Sequence, residues 1–594
     1  MRALATLPAH AFAALRVACL VALFAPVAGF AQTFCDGADA IRVTNDISTN
    51  TNWTNDNEYC LDGLIFVNDG ATLEIQPGTV VRGVLASNIT SGDAASSLIV
   101  RRGGRIVADG APGSPIIFTS ELDDLSIADD LTEEDRGLWA GIILLGEATT
   151  NQPSTNNQIE GIPFDPDTGE GDEAQYGGQN DNDDSGILRY VSVRHSGFSI
   201  TGEEGDEIQG ITLGGVGNGT TIEYVEIFAS ADDGIEWFGG TVDVKYAAVA
   251  FSFDDAYDYD QGWRGNGQFW LCIAGTDAAG RCGEHDGGDA GGDDAQPFAT
   301  PVISNATYIG SGQTAPAEGD GNDWAFRMRD GAGGFYYNSI FTDFPDRAID
   351  IENFAGSGAF DSFTQWQESR LRVENNVFFA FGRGPDFADF VDASYSDDNP
   401  PPGGDVDDAA FAAYIAGNNE NTDPELGGVC RGILNAQNCL DPRSNADATD
   451  DEADFDFEEL DDDFFTEVDY LGAFAPDEQV WLTGWTALDQ MGYLTGSATP
   501  NEESAAAATF GFRSVYPNPT AETMTVAFEL ENAEAATVTV YDVLGREVVV
   551  LAEGPQPAGV TTVSLEASRL PAGIYFVRLA TDSATATQKV VVVR

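Results

Sequence analysis

The segment TIEYVEIFASADDGIEWFGG, beginning at Thr221, returns 22 residues later as DVKYAAVAFSFDDAYDYDQG, beginning at Asp243. The offset lays Ile222 on Val244, Tyr224 on Tyr246 and Ile227 on Val249. It also lays Asp232 on Asp254, Asp233 on Asp255, Glu236 on Asp258 and Gly240 on Gly262. A unit this short cannot bury its own apolar face, so copies have to stack. Elsewhere, LIFVNDGATLEIQPGTVVRG and SLIVRRGGRIVADGAPGSPIIFTS break apolar runs with Gly, Asp and Pro, the pattern of short strands rather than helices. Stacked strands of this kind form a parallel β-helix, in which each coil hydrogen-bonds to the next and inward side chains line up in apolar rows. ILRYVSVRHSG fits as an earlier coil, with Tyr190 over Tyr224 and Val193 over Ile227. NDWAFRMRDG and DRAIDIENFA read as two later ones, with Trp324 near Arg347.

The first 31 residues carry Arg2, an apolar run and a small-residue exit before Gln32, the plan of a cleavable signal peptide. No later stretch has the roughly 18 to 20 apolar residues of a membrane span. Asp and Glu number 98 against 27 Lys and Arg, a net charge of -71, and loss of Arg2 and Arg16 with the leader makes the mature chain more acidic still. That sign excludes a phosphate-backbone partner such as nucleic acid. It also suits a solvated surface whose self-repulsion is screened by salt, as in a halophilic or marine setting. Cys19 leaves with the leader, and the other six cysteines fall in close pairs, Cys35/Cys60, Cys272/Cys282 and Cys430/Cys439. In an exported chain this reads as three local disulfides, although spacing alone does not fix the connectivity. Zinc is the weaker reading, since no pair has C-x-x-C spacing and only His195 and His285 remain.

The body is expected over residues 32–494, with an acidic excursion around 386–463 that includes local helix near DDAAFAAYIAG. WLTGWTALDQMGYL is expected to cap the open end of the solenoid. GGVGNGT at Gly214 to Thr220 lacks the ending and following helix of a phosphate loop and reads as a turn. A small-residue linker covers 495–511, and residues 512–594 alternate inward and outward positions between turns, as in a small Ig-like β-sandwich.

That last module closely resembles the type A C-terminal sorting domain of the type IX secretion system of Bacteroidota. The match rests on YPNP with Pro517, Asn518 and Pro519, on YDVLGR with Gly545, on LPAGIY with Gly573, and on Lys589 in the tail. The resemblance implies recognition by secretion machinery at the outer membrane. It also implies passage through the periplasm to the outer-membrane surface or exterior, and removal of the module as the cargo is released or linked to a surface lipopolysaccharide. The body, through DGATLEIQPGTVVRG, DRGLWAGIILLG, LRYVSVRHSG and GWTALDQMGYL, resembles exported Bacteroidota proteins with a right-handed parallel β-helix. This second resemblance implies a fold and carries no activity.

Adjacent coils lie about 4.8 Å apart, so the repeated acids must meet. Three readings are open. Asp side chains can bond local backbone amides at a coil corner. Asp232, Asp233, Asp254, Asp255 and Asp258, with Asp260, can offer oxygens to a cation, and calcium suits such a set. A stacked pair such as Asp233 and Asp255 can supply the carboxyl separation of a glycosidase, about 5 Å. His195 is a candidate general base and Arg327, with Arg329 and Arg347, a candidate partner of a cation in a lyase. The acidic loop from Glu284 to Asp294 is a second place for calcium, and more simply a solvated loop. Trp237, Tyr257, Tyr259, Trp263 and Trp270 are either core or, if turned outward, a platform for sugars.

Together these features describe an exported β-helix protein acting as a binding or structural module toward glycans. The alternative is a polysaccharide lyase or glycoside hydrolase with its site on the acidic face. Mass spectrometry of the native surface or released form should find a C-terminus between Thr495 and Phe512, in the small-residue linker. An intact Arg594 terminus would rule out removal of the last module.

Overall fold

Strands of three to nine residues stack in parallel register along most of the body, and alternate side chains decide which face becomes core. The computed structural model describes residues 34–592, apart from 38–39, 129, 164–170, 201–207, 277–279, 317–321, 355–358, 395–408, 430, 432–438, 446–447, 450–451, 496–509, 517–522, 531–533, 543–545, 557–558, 572 and 582–584. The expected leader, most of the expected linker, Cys430, Pro517, Asn518, Pro519 and Gly545 therefore lie outside the described residues. One side of the solenoid is a ten-stranded sheet running from Leu64–Val67 to Val391–Ser394, and 17 further strands form the other sides. No helix among the described residues is long and apolar enough to cross a membrane.

The 22-residue offset is the observed register: Ile222 pairs with Val244 and Glu236 with Asp258. In the ten-stranded sheet Leu213, Trp237, Tyr259, His285, Met328 and Ile351 follow one another as an inward row. Trp237, Tyr257, Tyr259, Trp263 and Trp270 are all buried in the main core, with Trp237 4.5 Å from Trp263 and Tyr257 4.5 Å from Trp270. They are core rather than a sugar platform. His285 belongs to this row as well. Its Nδ1 and Nε2 lie 2.6 Å from the Glu284 carbonyl oxygen and the Tyr336 hydroxyl, and burial pushes its pKa down to about 3.

At one corner seven successive coils, from Tyr190 to Asn375, turn through a left-handed residue. Tyr190, Tyr224, Tyr246 and Phe269 take φ of 48°, 53°, 58° and 59°, and Asn305, Asn338 and Asn375 continue the column at 55°, 55° and 56°. Asn tolerates this region through its short polar side chain, whereas a bulky ring there costs on the order of 1 kcal/mol. Stacking offsets that cost: the ring centroids of Tyr190, Tyr224, Tyr246 and Phe269 are successively 4.4, 4.2 and 4.9 Å apart.

The segment 452–494 runs back along this corner and does not cap the open end. Asn375 and Asn338 donate to the carbonyls of Glu452 and Asp454, and Asn305 donates to that of Tyr470. Gln268 exchanges two bonds of 2.8 Å with Thr466. Trp485 meets Tyr190 edge-on at 5.6 Å. The Glu226 carboxylate accepts the amides of Ala487 and Leu488, and Tyr493 donates to Glu133. The end expected under WLTGWTALDQMGYL is covered instead by the helix Ala409–Asn418. Its Phe411 and Ile415 enter the main core, and beyond it Glu420 bridges to the last coil at Val377. An aromatic strap suits an aromatic column, and an apolar helix suits an exposed strand edge.

Disulfides join Cys35 to Cys60 and Cys272 to Cys282, so these four thiols are not metal ligands. Cys439 is also disulfide-bonded. The chain divides into two compact units between Tyr493 and Leu494. The second holds antiparallel sheets of three and four strands around a common core that includes Val526, Phe528, Val538 and Val577. Gly573 and Lys589 fall on paired strands of this unit.

Lys245 is the body's single lysine, since the chain's other is Lys589. Its Nζ donates to the Phe464 carbonyl at 2.6 Å and to Thr466 at 2.8 Å, and burial lowers its pKa. An amine acylating reagent should therefore label Lys245 slowly in the native protein. Trp485→Ala should cost about 3–5 kcal/mol and speed that labelling, as read by peptide mass spectrometry. Rapid labelling of the unmodified protein would mean that the strap does not hold.

Candidate functional site

The acids of the opening repeat gather where coils enter the ten-stranded sheet. Asp233 and Asp255 point in at the corner, 7% and 2% exposed, while Asp254 faces solvent. The Asp233 carboxylate accepts the amide of Asp255 at 2.9 Å, and the Asp255 carboxylate accepts the amide of Arg281. Backbone bonding by these side chains is thus real, but it runs to the following coil rather than within one turn. Asp255 also faces the Arg281 guanidinium at 3.6 Å.

Two groups of carboxylates have oxygens within 4.8 Å of one another: Asp232, Asp233 and Asp254, and Asp233, Glu236 and Asp258. Four of the five expected cation ligands are therefore brought together. Asp255 belongs to neither group, because it is engaged by Arg281, and Glu236 takes its place. Sequence alone set Glu236 over Asp258 without counting it as a ligand; its outward position on a strand was the available signal. Asp260 lies further along the same face, beside Asp286 and Asp289.

Glu236 is 7% exposed, yet its Oε2 has no hydrogen-bond partner, and neither has Oδ1 of Asp258. Burial raises the pKa of Glu236 well above the usual carboxylate range, and the charges of Glu160, Asp258 and Asp233 add to it. Asp233 is raised by burial and then by Asp232, Asp258 and Asp254. Asp258 is raised by burial and then by Asp286 and Glu284. Buried, crowded carboxylates without donors are costly unless a proton or a cation neutralises them.

A groove of about 590 Å³ runs over this face, with Glu236, Asp258, Asp260 and Asp286 on its floor and Arg329 at one side. Its wall comes from Gln158 to Pro163 and Tyr176, a segment inserted between two strands of the sheet. Sequence reading did not place this wall, since nothing in its composition marks what it covers. Along the floor the acidic row Glu236, Asp258 and Glu284 gives way to Arg327 and then Asp350.

The arginines are occupied. Arg329 donates twice to Asp286, at 2.6 and 2.9 Å, and lies 3.0 Å from Glu284. Arg327 pairs with Asp350 at 3.0 Å and Arg347 with Asp392 at 2.5 Å. Asp286 is raised to about 7 by burial, against the pull of Arg329. Glu284 and Asp286 thus stand on a strand of the sheet rather than in a loop. His195 is fully buried at a left-handed corner, its Nδ1 2.6 Å from the Asp135 carbonyl oxygen. Burial lowers its pKa, and its charged neighbours are Asp123, Asp135 and Arg194 rather than the corner acids. The structure does not bring His195 to the groove.

Parallel coils with an acidic outward face, followed by a separate antiparallel unit, define a two-unit parallel β-helix protein. Residues 45–391 match the family described as pectate-lyase like beta helix domain, and the chain belongs to that family. Residues 514–593 match the secretion system C-terminal sorting domain, which directs the protein to the cell surface or exterior through the secretion machinery. No curated protein matches this chain.

Calcium added to chelator-treated protein in high monovalent salt should raise its Tm. A hundredfold excess over Kd corresponds to about 2.7 kcal/mol. Glu236→Gln should raise the Tm of the cation-free protein near neutral pH by relieving repulsion, and should remove most of the calcium increment. An unchanged calcium response in Glu236→Gln and in Asp233→Asn would place the ion elsewhere.

Proposed function

We propose that the secreted body is a divalent-cation-dependent glycan-binding module, with calcium held at the Asp233 corner. The observation that carries this reading is the pair of buried, unpartnered oxygens on Glu236 and Asp258 at the floor of the groove. Calcium takes six to eight oxygens, and a group of three carboxylates leaves room for oxygens of a bound saccharide. The mature form, spanning about 32 to the linker at 495–511, is released or attached to a surface lipopolysaccharide. Its acidic exterior is that of a protein working in salt.

The second reading is a polysaccharide lyase or glycoside hydrolase. It is favoured by Arg329 and the Glu236–Asp258 pair sharing one groove. Against a lyase stands the protonation of Arg329. Asp286 and Glu284 raise its pKa further, so it is a poor base. Asp233 and Asp255, the first candidates for a catalytic pair, are tied to backbone amides of the next coil.

Acidic and neutral polysaccharides offered to the purified body should separate the readings. Binding is expected for acidic chains in calcium, with release by chelator and no new reducing or unsaturated ends. Product formation that disappears in Arg329→Ala while the fold survives would establish the enzyme instead.

A further inference from the structure

The aromatics that sequence reading set aside as a sugar platform are all interior, but one ring at the acidic corner is not. Phe253 is 57% exposed, the highest value among the exposed large hydrophobics. It directly precedes Asp254 of the first carboxylate group. Its backbone is held, because its amide donates to the Ser230 carbonyl at 2.9 Å and its neighbours Phe251 and Ser252 are buried. The equivalent place one coil earlier is Ala231, a single methyl group. Among the described residues Phe253 enters no aromatic pair, whereas Phe251, two residues earlier, packs on Phe228 and Tyr493.

A lone exposed Phe needs no explanation by itself. This one is the chain neighbour of Asp254, likewise exposed, in a carboxylate cluster that shares Asp233 with the group holding the buried, unpartnered Oε2 of Glu236. A ligand that satisfies both surfaces must present oxygens to a cation and an apolar face to a ring. A pyranose does so within one rigid unit, because its axial C–H bonds carry slight positive charge toward the negative face of an aromatic ring.

We propose that Phe253 is the stacking platform for a pyranose ring whose oxygens complete the coordination of a divalent cation held by Asp232, Asp233 and Asp254. The proposal rests on the cation-dependent glycan-binding reading and adds to it the residue and the ring face that orient the sugar. It also directs the sugar over the outer corner, beside the groove rather than only within it.

The test uses the secreted protein, calcium, a uronic acid tetramer and an uncharged glucose tetramer as control, followed by calorimetric titration. Phe253→Ala should weaken binding of the uronic acid tetramer roughly tenfold while leaving the calcium-induced rise in Tm unchanged. Phe253→Trp should restore it. Equal affinity in Phe253→Ala and the unmodified protein, with the calcium shift intact, would overturn the platform and leave the cation reading standing. Absence of saturable tetramer binding by the unmodified protein in calcium would also overturn it. If calcium produces no Tm shift in the unmodified protein, the cation reading fails and the proposal fails with it.

Discussion

The register between coils governs the rest of this molecule. A parallel ladder with coils about 4.8 Å apart forces like positions into contact, so any residue the sequence repeats must tolerate a copy of itself. Apolar residues meet this condition at once, and the inward rows are the result. Tyrosines meet it by stacking, which holds Tyr190, Tyr224 and Tyr246 at backbone angles that a bulky residue avoids. Gly240 and Gly262 meet it by having no side chain. At φ of 91° and 81°, a Cβ on either would come within 2.4 Å of a carbonyl oxygen. Carboxylates meet it only through an outside neutraliser.

That difference splits one sheet face into two regimes. Toward the C-terminal coils, Asp350 lies against Arg327 and Asp286 against Arg329. Around Asp233, Glu236 and Asp258 no arginine is interleaved in the row, and the oxygens are crowded and partly unpartnered. Such a site forgoes stability while its carboxylates are charged, a cost that a proton or a cation would offset. Asp255 marks the border, since Arg281 has already claimed it.

Much of this was legible. The 22-residue offset gives the pairing of Glu236 with Asp258, the tyrosine column and the inward rows, because side-chain period and coil length are local properties. The arrival of Glu284 over Asp258 was hidden, because the coil closed by Cys272 and Cys282 is longer than its predecessor. The groove wall near Glu160 and the strap were hidden for another reason. Glu226 meets Ala487 across 261 residues, and neither repeat nor composition encodes such a contact. WLTGWTALDQMGYL looked like packed text, and it is; what it packs on depends on a column of rings far away in the chain. The same limit applies to Phe253, whose exposure follows from its coil corner and not from its residue type.

The strap also decides where force enters the body. The chain leaves the solenoid at Tyr493, which is anchored to Glu133 and ring-packed on Phe228 and Phe251, near coils of the first half rather than at the last coil. A pull on the chain beyond Tyr493 would therefore load the strap's own fastenings first, beginning with Tyr493 and Glu226 and passing in turn to Asn305, Gln268, Asn338 and Asn375. The terminal coil, the easiest part of any stacked ladder to peel, is shielded behind that series. Held from that end, the body would behave like a flag sewn along its edge, with tension shared across many stitches before any coil has to open.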